Sequence, residues 1–251
     1  MVSPVVTVLV IAADVGLALL LIGGILWAAR AERRATGAGG GLLLAGAAGV
    51  AGWLAIVVLA AHAGVFESTP ETTVPVIGLG IVPPIVLGCV LLARASLRRR
   101  LERIPLHWLV GVQLYRIGGA LFLLAYAQGD MPAEFALPAG IGDVLVGLAA
   151  PLVARRIAID GPRRARRSAL VWCALGIADL VVAVACGFLT VPSAFQQLAL
   201  DAPNAALTSY PMVVVPTFVV PASILLHVFV IVRLRAWSSA AASGAVSARL
   251  A

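Results

Sequence analysis

Lysine is absent from this chain, and only 12% of its 251 residues are charged, against about 25% in an ordinary soluble domain. Without lysine there is no amine to form a retinal Schiff base, so a rhodopsin is excluded. Cysteine is scarce: Cys89, Cys173 and Cys186 lie far apart in apolar sequence, with no paired spacing for a disulfide framework or a zinc site. They read as small buried residues. His62 and His107 fall near the ends of apolar runs, where interfacial placement is cheap, and no metal site or cofactor is expected. There is no His-Glu-x-x-His, P-loop, Gly-x-Ser-x-Gly or Asp-Asp-x-x-Asp motif, which removes support for metalloproteolysis, ATP-driven pumping, serine hydrolysis and Mg-dependent prenyl transfer. Aromatics make up 6%, and Trp53, Trp108, Trp172 and Trp237 read as packing or interface anchors.

What the chain has in quantity is apolar sequence: 62% hydrophobic residues and a mean hydropathy of +1.07. The fold class expected is all-α, a polytopic transmembrane helix bundle whose partner is the lipid bilayer. Seven apolar runs, about 4–29, 41–63, 74–95, 106–127, 137–154, 168–190 and 211–233, are mostly near the roughly 20 residues that cross the hydrocarbon core. The first has no basic n-region before it and exceeds the 7 to 15 residues of a signal-peptide core, so it reads as a retained span. One domain is expected over 1–236, with a disordered cytoplasmic tail over 237–251. The fifth run, bounded by Pro138 and Pro151, is the shortest.

The net charge of +7 rests on 18 arginines. They cluster after span one, between spans three and four, between five and six, and after span seven. The other connections hold Glu67, Glu71, Asp130, Glu134 and Asp201. By the positive-inside rule the N-terminus is outside and the C-terminus cytoplasmic. Arginine in place of lysine, with abundant alanine and glycine, points to a GC-rich bacterial genome and to multi-pass residence in the inner membrane. Basic clusters beside apolar spans are loops, not a nucleic-acid face. In the long outer connection from Val191 to Tyr210, Ser193 is a candidate cap for a short helix through Leu200.

Against this background four charges stand out inside spans: Asp14, Arg116, Asp143 and Asp179. Each costs roughly 2.5–3.5 kcal/mol at the bilayer centre if left facing lipid. Helical spacing places Asp143 on a stripe with Gly140, Gly147 and Pro151, and Asp179 on one with Gly176, Ala183, Cys186 and Thr190. Small-residue stripes let helices approach closely, so both acids are expected to face the bundle interior. Gln113 and Arg116 share a face of span four, and His227 lies in the cytoplasmic half of span seven. Asp14, Arg116 and Asp179 fall near mid-depth and Asp143 nearer the outer face. Three aspartates against one arginine leave an excess of acid, so at least one is expected to hold a proton, water or a cation. Arg116 with Asp143 is the expected structural pair, leaving Asp179 and Asp14 as the sites of chemistry. Pro83-Pro84, Pro216 and Pro221 are expected to interrupt spans three and seven, as in helices that line substrate cavities. A weak repeat links Gly140-Ile-Gly-Asp143-Val with Gly176-Ile-Ala-Asp179-Leu.

The segment Tyr115-Arg116-Ile-Gly-Gly-Ala-Leu-Phe-Leu123, followed by Leu137-Pro-Ala-Gly-Ile-Gly-Asp143-Val-Leu-Val-Gly147, resembles a pattern in bacterial multispan membrane proteins of uncharacterised function. The resemblance covers about a seventh of the chain. It implies that Arg116 and Asp143 belong to one unit and carries no activity with it.

Two functional expectations follow, with Asp14, Arg116, Asp143, Asp179, Gln113 and His227 as binding or proton-relay candidates. One is a small proton- or cation-linked transporter of a small solute. The other is a membrane-embedded enzyme acting on a lipid or isoprenoid, with an aspartic acid as general acid. A non-catalytic partner subunit is the third possibility, and the sequence fixes no oligomeric state.

Overall fold

The computed structural model describes residues 2–37 and 40–247, with side chains described through Ala236. Every regular element among them is helical. Helix α1 spans Pro4–Thr36: Ser3 Oγ accepts the Val6 N–H (3.4 Å), Pro4 opens the first turn, and Gly37 closes the helix at φ 70°, its N–H bonding Arg33 O (2.9 Å). Helix α2 is Gly41–His62, α3 is Ile77–Ala93 and α4 is Ala95–Leu101. Helix α5 is Leu106–Ala127.

Next comes a helical stretch of 58 residues, Ala133–Thr190, broken at Gly161, whose φ of 77° and ψ of 159° no other residue type adopts without strain. Its arms, α6 (133–160) and α7 (162–190), fold back on one another. Trp172 Nε1 donates to Val146 O (3.0 Å), Gly142 abuts Asp179, and Gly187 lies against Phe135. These pairs are nested symmetrically about the turn, which defines an antiparallel hairpin. A π-helical turn, Val215–Val219, then leads into α8, Val220–Ser247.

Five of these helical stretches are long and apolar enough to cross a membrane, and the α3–α4 pair makes a sixth if counted together. With the hairpin counted as two, seven apolar rods are present. Large side chains such as Ile56, Leu79 and Leu152 are about 70% exposed on the outside of the bundle (69%, 70% and 71%), as a lipid-facing surface requires and a water-facing one does not.

Several boundaries differ from the sequence expectation. Helix α3 runs through Pro83 and Pro84; proline's fixed φ suits a helix, and only hydrogen bonds are lost. The break comes instead at Arg94, extended at φ −72°, ψ 111°, after which α4 turns by 90°. Near Pro216 the backbone does leave α geometry. Pro138 and Pro151 lie inside α6 and do not bound it, and the basic segment expected to be a loop over 155–167 is helical on both sides of Gly161, alanine and arginine being good helix formers. No helix forms at 193–200. Ser193 Oγ accepts the Phe195 N–H (3.2 Å) in a local turn, and a 3-10 turn forms later, at Ala205–Thr208. Of the tail, 248–251 lie outside the described residues, while α8 is continuous to Ser247.

Of three apolar clusters, a small one around Leu17, Val57 and Phe218 lies beside the site, and two larger ones sit at opposite ends of the bundle. One gathers Val6, Ile77, Phe122 and Phe135, the other Leu43, Leu106, Trp172 and Leu234. The charged layer lies between them.

Candidate functional site

Helix α5 changes its winding where its charge is. Between α-helical ends it is a 3-10 helix over Val112–Gly119, and its three buried residues are Gln113, Arg116 and Gly119. A repeat of three residues per turn stacks them in one column facing the hairpin. The hairpin meets that column with glycines. A Cβ on Gly119 would overlap Asp143, one on Gly147 would come within 2.7 Å of Ile117 N, and one on Gly140 within 2.9 Å of Gly119 O. The small-residue stripe of α6 thus brings two backbones into contact and seats Asp143 on Arg116.

Arg116 is almost wholly buried, and each of its three nitrogens has a partner. Nε donates to Asp143 Oδ1 at 2.7 Å, and Nη2 lies 2.6 Å from the same oxygen. Nη2 also bonds Asp179 Oδ2. Nη1 faces Gly176 O (3.3 Å) and His227 Nε2 (3.2 Å). A guanidinium has no lone pair to offer, so His227 accepts through Nε2 and carries its proton on Nδ1. That Nδ1 is buried with no hydrogen-bond partner. Trp172 packs against the imidazole at 4.6 Å between ring centres, and Gly176 leaves room for it, since a Cβ there would strike the ring.

Asp14 stands apart. It is buried (4% exposed), forms no ion pair among the described residues, and its Oδ1 has no hydrogen-bond partner. It shares a narrow cavity of about 70 Å³ with Arg116 and Asp143. Tyr115 and Ser223 also line it, joined at 2.5 Å; because Ser223 Oγ donates to Val219 O (2.7 Å), the tyrosine hydroxyl is the donor to the serine. The remaining wall is apolar, including Ile81, Phe122, Phe135 and Val219. Two departures from α geometry border this cavity: the 3-10 segment of α5 and the π turn at Val215–Val219.

Of the residues expected to act together, Arg116, Asp143, Asp179 and His227 form one bonded group, and Asp14 joins Arg116 and Asp143 around the cavity. Asp143 packs its Cβ against Gly119, one turn beyond Arg116 along α5, and its carboxylate reaches back to the guanidinium. Asp179, expected to be the freer acid, is ion-paired. Gln113 is fully buried beneath Arg116, but neither its amide oxygen nor its nitrogen has a hydrogen-bond partner. Sequence reading passed over Tyr115 and Ser223, whose signal was a hydroxyl in each of two apolar spans. It also passed over Gly142, whose missing Cβ makes room for the Asp179 carboxylate.

At the end of the bundle where α1 begins, Asp130 Oδ2 accepts the Ser3 N–H (3.2 Å), so this acid ties down the N-terminal segment. A hydrogen bond from Thr69 holds the exposed Glu71 carboxyl below its ordinary value. The His62 ring lies on Tyr210 at 3.9 Å. No group of three or more histidines, cysteines or acids among the described residues is arranged to hold a metal ion.

Neither a curated protein nor a solved structure matches this chain. A family model described as a domain of unknown function, DUF8737, matches residues 72–235, a stretch that carries Gln113, Arg116, Asp143, Asp179 and His227 and leaves Asp14 outside. The chain belongs to that family.

Proposed function

We propose that this is a seven-span protein of the bacterial inner membrane, N-terminus outside and C-terminus cytoplasmic, that moves a proton or small cation through the bundle, coupled to a small solute. The observation that carries this reading is the unpartnered buried carboxylate of Asp14, facing the same cavity as a guanidinium already engaged by two other acids. Arg116 supplies one positive charge and His227 accepts as a neutral ring, so Asp143, Asp179 and Asp14 exceed the available cations. In a low-dielectric interior such an excess is relieved by taking up a proton or a cation, the usual role of intramembrane carboxyls. The 3-10 winding of α5 and the π turn at the entry to α8 support the same reading, because such departures from α geometry often mark functional sites. Asp14 is the exchanging site, and the Arg116 group is the fixed counter-charge across from it.

Reconstitution in liposomes carrying a pH-sensitive dye tests this. Imposed proton or cation gradients are expected to collapse faster with the protein than without it, and Asp14→Asn to return the rate to that of empty liposomes. Equal rates for the wild type and Asp14→Asn would sink the proposal.

The apolar wall of the cavity favours a second reading, an enzyme acting on a lipid or isoprenoid with Asp14 as general acid. It calls for turnover of a lipid substrate in detergent, where no gradient exists, and loss of that turnover in Asp14→Asn.

A further inference from the structure

A second, larger cavity of about 580 Å³ lies at the arginine-rich end of the bundle and shares no lining residue with the Asp14 cavity. Its size falls within the roughly 300–1,000 Å³ of small-molecule sites. Its walls come from α1, α2, the α3–α4 bend, α5 and α8, and are almost entirely apolar, with Leu20, Leu43, Leu92 and Phe229 among them. Glycines widen it: a Cβ added at Gly23 or Gly46 would meet nothing within 4 Å. The 90° turn at Arg94 lays α4 across its end, contributing Leu97 and Leu101.

The mouth has a different chemistry. Trp27 and Trp108 stand there with ring centres 6.0 Å apart, and Arg30 belongs both to this groove and to an adjoining recess formed with Trp27 and Arg34. The nearby acids are already engaged. Glu32 is bonded by Arg100, and Glu102 lies 3.9 Å from Arg98. Arg30 and Arg34 are exposed and have no acidic partner among the described residues. An apolar slot of this volume, bordered by paired indoles and Arg30 and adjoined by a recess that holds Arg34, is complementary to a molecule with a long hydrocarbon chain and an anionic head.

We propose that this groove holds one acyl chain of an anionic phospholipid, with the lipid's phosphate seated on Arg30 and Arg34. The headgroup lies level with the tryptophan pair, and the chain runs inward between α1 and α8. The site is separate from the one around Arg116, so either assignment stands or falls without the other.

The test is lipid retention by the purified full-length protein, read by native mass spectrometry after exchange into detergent with added phosphatidylglycerol or phosphatidylcholine. One phosphatidylglycerol per chain is expected to survive conditions that strip phosphatidylcholine. Arg30→Gln with Arg34→Gln is expected to weaken that retention by on the order of tenfold. Gly46→Leu, whose Cβ meets nothing within 4 Å and whose isobutyl group enters the groove, is expected to abolish it while the protein elutes as the wild type does. Equal retention of the two lipids, unchanged retention in either variant, or full displacement of the lipid by millimolar inorganic phosphate would each overturn the proposal.

Discussion

Asp143 and Asp179, from opposite arms of one hairpin, both ion-pair with the same nitrogen of Arg116, Nη2. The arms are held at that separation by Gly142, which has no Cβ to keep the Asp179 carboxylate away. One guanidinium therefore fastens three helices, and His227 adds a fourth. Removing the cation leaves two carboxylates facing each other without compensation, whereas removing one acid leaves the other in place. Arg116→Leu is expected to destabilise the protein by about 3–5 kcal/mol, and Asp143→Asn by less. Adding Asp143→Asn and Asp179→Asn to Arg116→Leu is expected to recover part of the loss. Thermal denaturation in detergent, followed by circular dichroism, reads all of these.

Asp14 predicts the opposite combination. Its carboxylate oxygen has no partner to lose, so Asp14→Asn is expected to leave the melting temperature unchanged or raise it while ion movement stops. A fall of several degrees in that variant would show that Asp14 is structural.

The glycine contacts separate close packing from simple small size. Gly142→Ala and Gly176→Ala place a methyl group against the Asp179 carboxylate and the His227 ring, and each is expected to cost about 1–3 kcal/mol. Gly118→Ala, in the same region of the bundle, meets nothing within 4 Å and is expected to be neutral. If all three variants melt together, the close approach of the hairpin is not what holds the charged group.

Glu32 is buried near the end of α1 and bonds Arg100 of the short helix α4. Glu32→Gln removes the charge that holds this short helix. Hydrogen exchange is expected to accelerate over 95–101 and to stay unchanged in α6 and α7.

The orientation is open to a direct measurement. With Cys89, Cys173 and Cys186 lying within helices, Glu71→Cys is expected to react with a membrane-impermeant thiol reagent in intact cells. Arg164→Cys is expected to react only after permeabilisation. The reverse pattern would invert the bundle.

Much of this arrangement was legible in the sequence because it follows from local rules. The helical class and the burial of Asp14 and Arg116 came from the length of the apolar runs and the cost of a charge among them. The packing of Gly140, Gly147 and Gly176 came from helical periodicity. The partition of charge was less accessible. Whether Asp179 or Asp14 would pair with Arg116 depends on which helices are neighbours, and no spacing along a single helix encodes that. The break at Arg94 and the 3-10 winding around Arg116 escaped notice because neither has a proline to mark it. Pro83-Pro84, which looked like a break, sits in an unbroken rod.

The Gly161 hairpin also bears on how the chain is assembled. During synthesis α5 precedes α6 and α7, so Arg116 arrives in the membrane before either of the acids that neutralise it. Until the hairpin follows, α5 carries a charge costing roughly 2.5–3.5 kcal/mol at mid-membrane. Docking of the hairpin neutralises α5 and covers both new acids in a single event, because the two arms meet the same guanidinium. A chain halted between α5 and α7 therefore lacks both carboxylates that engage the Arg116 guanidinium in the finished bundle.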